Sequence, residues 1–310
     1  MTIFSYPIHK KKAFMLLNKR LSVFYFLNLI KYDLVAIAVY AVLAGTFDHF
    51  WIFKSITIPL AVSAFIGTLL SLLLAFRTSQ SYERWWEART VWGAIVNDSR
   101  TLIRQVQLFL PENAAGLGYI RQFAEQQILW CHALSQGLRK QPWTGTVKDY
   151  MDKHAISTLN LPNHLLSQHS RTLAKAAAEF ELDANKQVQI DSTITRLCDA
   201  MGKCERIKNT VFPRSYSVMI HFLIYVLMSL LPFGLEDKSK LVEIMLTFMI
   251  PALFICIEKT SILMQDPFEN RPTDTPTTTL SRTIESNIRE MVDGDVVTPK
   301  PEQPAIYYIL

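Results

Sequence analysis

The chain lacks the signatures that most enzyme chemistry requires. Its 310 residues hold no P-loop, GxGxxG, GxSxG or HExxH pattern. That leaves no recognisable phosphate cradle, dinucleotide turn, serine nucleophile elbow or zinc helix. Cysteine is scarce: Cys131, Cys198, Cys204 and Cys256 form no CxxC pair and no zinc spacing. Free, mostly buried thiols in a reducing compartment are therefore expected. The seven histidines are scattered. His164 and His169 stand five apart, a poor spacing for two ligands on one helix face, with no acidic partner nearby. Neither a metal nor a cofactor is expected. No stretch alternates apolar and polar residues long enough to read as a half-buried strand, so the fold class is all-α. Lys10, Lys11 and Lys12 precede an apolar stretch, but no small-residue cleavage site follows, and the N-terminus does not read as a secretory signal.

Charge is also in short supply. Charged residues make up 19% of the chain against 50% hydrophobic, and mean hydropathy is positive at +0.16. That balance describes an integral membrane protein with a sizeable water-facing part. The net charge of +5 reads as basic loops at a membrane. No nucleic-acid motif accompanies it, and no nucleic-acid partner is expected. The clearest charge-free stretch lies between Lys54 and Arg77, 22 residues long. About 20 helical residues span a hydrocarbon core of roughly 30 Å. Three further crossings are expected at 34–53, 215–235 and 241–264.

The 56–76 crossing has two distinct faces. Gly67, Ser71 and Ala75 fall four apart and form a small-residue stripe suited to close helix packing. Thr68, Leu72 and Phe76 also fall four apart, about 100° further round. Spacing alone leaves this second row as an ordinary packing face or a lumen face. Beyond Arg77 no proline interrupts the pattern until Pro111, and Trp85, Val91, Ile95, Leu102 and Val106 recur at threes and fours. The crossing is thus expected to continue into water as one long helix.

Helices are expected at about 119–139, 146–158, 164–180, 184–209 and 280–292. The region 112–210 reads as having too little internal core for an independent enzyme domain. The chain divides into an N-terminal segment with an interfacial lead-in helix (1–33), crossings one and two (34–76), a cytoplasmic helical region (77–212), crossings three and four (213–264) and a C-terminal segment with its tail (265–310). The two short loops on one side carry only Lys54, Lys238 and Lys240, whereas Lys19, Arg20, Arg77, Arg84, Arg89 and Arg214 flank the other. Both termini and the helical region are therefore expected in the cytoplasm, with the lipid bilayer as a partner. His221 within the third crossing reads as a neutral imidazole bonded to a neighbouring helix, and Glu258 and Lys259 as pairing or snorkelling groups.

Three strings narrow the reading: Arg77-Thr-Ser-Gln-Ser-Tyr-Glu-Arg-Trp-Trp-Glu-Ala-Arg89, Gly202-Lys-Cys-Glu-Arg-Ile207, and Asp266-Pro-Phe268 after the fourth crossing. In their positions they resemble the bestrophin family of ion channels, in its bacterial branch. The first string places Arg77, Glu83, Arg84, Trp85, Glu87 and Arg89 on the family motif, and the third adds Asp266, Pro267 and Phe268. The resemblance implies a homopentamer in the bacterial inner membrane around one central pore. It makes Thr68, Leu72 and Phe76 the pore neck and leaves Gly67, Ser71 and Ala75 for packing. Thr68 departs from the bulky apolar residue expected there. A cytoplasmic aperture is implied near Asn185 and Val188. The bacterial branch implies monovalent cations, with a chloride channel of the same architecture as the alternative. Animal members bind calcium in an acidic run after this last string. Here the run reads Glu269-Asn-Arg-Pro-Thr-Asp274, broken by Arg271 and Pro272, so no calcium requirement is expected. A membrane-bound lipid-modifying enzyme or a non-conducting scaffold are the rival classes. The first would need acidic or histidine pairs gathered at one membrane face, and none is seen.

Overall fold

The structure, a computed structural model, describes residues 27–28, 30–47, 58–210, 212–235, 240–271 and 273–294. Most of the lead-in helix, the loop carrying Lys54, the turn at 236–239 and the tail 296–310 lie outside the described residues. Nine helices run through the described residues: α1 (Lys31–Phe47), α2 (Leu60–Phe109), α3 (Ala114–Leu138), α4 (Gly145–Lys153), α5 (Leu161–Glu179), α6 (Ala184–Asn209), α7 (Arg214–Gly234), α8 (Lys240–Gln265) and α9 (Thr277–Asp293). No strand occurs among the described residues.

The expected long helix is α2, 50 residues without a break, or roughly 75 Å at 1.5 Å per residue. Pro59 precedes its first turn and Leu110 ends it in extended backbone, immediately before Pro111. Three helices, α2, α7 and α8, are long and apolar enough to cross a membrane. The first expected crossing is seen as the 17 residues of α1; residues 48–53 of that span lie outside the described residues. Helix α1 lies against α8, and α2 lies against both α7 and α8. The approach of α1 to α8 is close at Gly45, where a Cβ would stand 2.6 Å from Ile244 Cγ1.

Two apolar cores divide the molecule by height. The membrane-level core gathers Ile37, Leu70, Leu74, Ile220, Ile224 and Ile255 from α1, α2, α7 and α8. The second is the larger of the two. It joins Trp92, Ile95 and Val106 of α2 to Phe123 and Trp130 of α3, Leu165 of α5, Leu197 of α6 and Ile284 of α9. Residues 112–210 do not close this core by themselves. The distal half of α2 and the returning α9 both contribute to this core from outside that region.

Local chemistry fixes the connections. Asn113 caps α3 by accepting from the Gly116 N–H at 2.7 Å. Gly116 itself leaves room for the Pro111 carbonyl, which a Cβ there would meet at 2.0 Å. Asn160 caps α5 by accepting from the Asn163 N–H at 3.0 Å, with Pro162 in its first turn. Asp183 accepts from the Asn185 N–H at 2.9 Å at the start of α6. Gly294, left-handed at φ 71°, closes α9.

Candidate functional site

The site is α2 where it leaves the membrane-level core. One row of this helix, Leu70, Leu74, Arg77 and Ser81, is buried against α7 and α8. The row Thr68, Leu72 and Phe76 is left uncovered by its own chain, with Leu72 65% and Phe76 56% exposed. The Thr68 hydroxyl does not project a free donor. It donates to the Ala64 carbonyl one turn earlier, at 2.9 Å. Among the described residues, nothing lies within 4 Å of a Cβ built on Gly67. Ser71 and Ala75 border an open, largely apolar hollow of about 500 Å³ between α2 and α8, together with Leu74, Tyr82 and Phe254. Packing within the chain is thus carried by the 70/74/77/81 row, and the small-residue stripe faces away from it.

Directly below the row stands a buried ion pair. Arg77 Nη1 donates to Glu258 Oε1 at 2.9 Å, and the two side chains are 2% and 0% exposed. His221 Nε2 approaches the other Glu258 oxygen at 3.3 Å, and its Nδ1 lies 2.9 Å from the Ser217 carbonyl. Lys259 turns the other way, to Asp33 of α1 at 3.3 Å. Glu258 and Lys259 pair as the sequence suggested, but with partners on different helices. Two aromatic rings complete the surroundings. The Arg77 guanidinium lies over Phe212, with its carbon 5.1 Å from the ring centroid. Tyr216 sits between Phe212 and Phe76.

About two turns further on, the first string makes a clasp. Arg84 donates to three carbonyls at helix ends: Gln265 at 3.0 Å, Ile207 at 2.7 Å and Thr210 at 2.9 Å. Carbonyls left over at helix C-termini are natural partners for a guanidinium. Trp85 Nε1 donates to the Thr273 carbonyl at 2.8 Å, and Glu87 pairs with Arg206. The second and third strings meet at Lys208, which binds Asp266 at 2.8 Å and also Glu269. Burial opposes the charge on Lys208, but the two carboxylates outweigh it and its pKa is raised. Glu269 is held below the usual range, first by that hydrogen bond. Phe268 is fully buried in the larger core, and the Pro267 carbonyl accepts from the Thr275 N–H at 3.0 Å. Three strings far apart in the chain therefore make one junction of α2, α6, α8 and the 266–275 loop. Glu83 stays local, accepting from Gln80 at 3.2 Å, and Arg89 is half-buried.

The remaining expected positions lie elsewhere. Asn185 and Val188 are exposed at the start of α6. His164 and His169 share no ligand geometry. His164 meets Gln168 at 3.0 Å, whereas His169 is buried with Nδ1 against the Leu165 carbonyl at 2.9 Å. In the 269–274 run, Glu269 is committed to Lys208 and the Arg271 N–H donates to Asp274 Oδ2 at 3.0 Å. Burial pushes the Asp274 carboxyl up to about 6.

A family model described as Bacterial/Fungal Bestrophin protein matches residues 10–290. The chain belongs to that family. Among bestrophin relatives, a voltage-dependent anion channel-forming protein of Ralstonia nicotianae is 29% identical over 243 residues, 76% of this chain and 79% of the relative. The voltage-dependent anion channel-forming protein YneE of Escherichia coli is 28% identical over 249 residues, 79% of this chain and 81% of YneE. The crystal structure of a bacterial bestrophin homologue from Klebsiella pneumoniae superposes with a TM-score of 0.78. At 23% identity it covers 85% of this chain and 98% of that one, so the two share the bestrophin fold.

Sequence reasoning missed the Arg77–Glu258 pair and the roles of Phe212 and Tyr216. A signal was present. An acid inside an apolar crossing demands a partner, and an arginine at the end of a neighbouring crossing is the natural one.

Proposed function

We propose that this protein is an anion channel in which several copies of α2 surround a pore, with Thr68, Leu72 and Phe76 lining its neck. The observation that carries this is the uncovered row itself. A helix buried on one side in its own chain offers Leu72 and Phe76 to something outside it. The family membership and the relatives' names point to ion passage rather than to an enzyme. They also favour the chloride alternative over the monovalent cations that the bacterial branch implied, and the cation reading gives way to it.

A ring of leucine and phenylalanine side chains cannot coordinate a bare ion. It holds back hydrated ions by dewetting and passes them when it widens or wets. Selectivity then arises from longer-range fields. Arg77 contributes little there while Glu258 neutralises it. Thr68 widens the outer ring and makes it less apolar, although its hydroxyl is spent on the Ala64 carbonyl. Five copies, four crossings per copy, cytoplasmic termini, packing of the 67/71/75 stripe between copies and a second constriction at Asn185 and Val188 complete the reading. So does gating without calcium, since Lys208 and Arg271 occupy the acidic run with positive charge. The test is Leu72→Ala combined with Phe76→Ala in reconstituted bilayers. Unitary conductance and open probability are expected to rise. Unchanged currents in the double variant would remove this row from the pore.

A further inference from the structure

Phe76 does not stand alone on its uncovered face. Its ring centroid is 6.0 Å from that of Tyr216 on α7, tilted at 55°, within the range where aromatic pairs attract. The Tyr216 hydroxyl donates to the Leu73 carbonyl at 3.0 Å, three residues before Phe76 on α2. On its other side Tyr216 meets Phe212 edge-on at 5.4 Å, and Phe212 lies beneath the Arg77 guanidinium. The first turn of α7 and the residue Phe212 ahead of it therefore meet α2 at two successive residues. Phe76 is held by ring packing, and Arg77 is held by Phe212 and the buried Glu258.

We propose that Tyr216 is the positioning residue for Phe76, so that a small tilt or slide of α7 at its cytoplasmic end moves the narrowest ring of the neck. The geometry suits that role. Tyr216 holds the ring through one contact and the backbone of the same helix through another, so Phe76 cannot turn freely while both are made. The Arg77–Glu258 pair, at 2.9 Å, fixes α2 against α8, whereas α7 reaches that pair through the longer 3.3 Å contact of His221 with Glu258. This proposal rests on the reading of the 68/72/76 row as pore lining.

The test is single-channel recording of the reconstituted full chain, with Tyr216→Ala, Tyr216→Phe, Phe76→Ala and the Tyr216→Ala/Phe76→Ala pair. Tyr216→Ala is expected to raise open probability about tenfold, the ratio that roughly 1.4 kcal/mol of ring packing represents. Tyr216→Phe keeps the ring but loses the hydroxyl's bond to the Leu73 carbonyl, and is expected to raise open probability by less than Tyr216→Ala does. The paired variant is expected to match Phe76→Ala alone, because residues acting through one contact do not add. Where Tyr216→Ala fails to assemble, Tyr216→Leu carries the same expectation, since it keeps apolar volume while removing the ring and its hydroxyl. Parental open probability in Tyr216→Ala or Tyr216→Leu, alongside altered conductance in Phe76→Ala, would overturn the positioning role and leave the pore row standing. Additive effects in the paired variant would overturn it too. No change in Phe76→Ala itself would remove the pore row, and the proposal with it.

Discussion

Buried polar groups set the behaviour of single residues here. His169 lies within the larger core with its ring edge-on to Phe123 at 5.9 Å. Burial lowers its pKa from 6.5 to about 4, against a smaller raising effect from the Leu165 carbonyl. A depressed folded pKa gives a contribution that is present above 6.5 and lost as the pH falls through about 4. A shift of that size corresponds to roughly 3 kcal/mol. Asp274 works in the opposite sense. Its raised pKa favours the folded state at low pH, and that contribution is lost as the pH rises through about 6. The comparison must therefore be made between wild type and variant. His169→Met, with Asp274 unchanged, is expected to shrink the drop in melting temperature between about pH 7 and pH 4.5. An equal drop in both proteins would mean that His169 does not titrate on unfolding. The spacing of five made the two histidines a poor ligand pair. It could not show that one of them was fully buried, because Phe123, which its ring meets edge-on, comes from a different helix, α3.

At the scale of elements, the long helix α2 joins the apolar row to the junction made by the three strings. Its length was legible because proline is absent until Pro111 and the apolar residues keep a helical period. Its orientation was not. The 67/71/75 stripe is suited to close packing, while the row buried within the chain is 70/74/77/81. Small residues mark where a helix can be approached closely, but they do not say by which helix. The motif residues were legible as a set and opaque as a mechanism, since Arg84 binds carbonyls, which leave no trace in side-chain identity. Arg84→Lys is expected to loosen the junction. A lysine carries the charge but cannot fork across the carbonyls of Gln265, Ile207 and Thr210. The cost is expected to be roughly 2 kcal/mol, that of a lost charge-assisted hydrogen bond. It is read as a lower melting temperature of the detergent-solubilised protein. An unchanged melting temperature would show that the clasp contributes nothing to stability.

For the whole molecule, two cores stacked along one continuous helix give a membrane-level event a route to the larger core. The uncovered apolar row and the stripe beside it are faces that a single chain leaves without a partner. Both are accounted for if copies of α2 stand side by side around an axis. Native mass measurement of the detergent complex is then expected to find five copies of the 35.6 kDa chain, and a monomeric mass would contradict the arrangement. Stoichiometry was never legible in the sequence, because the number of copies depends on angles between faces rather than on residue types. The account stands most directly on what passes through that axis. The measurement is the reversal potential of the purified, reconstituted protein under asymmetric sodium chloride. The account predicts a shift toward the chloride equilibrium potential. A shift toward the sodium equilibrium potential would contradict it.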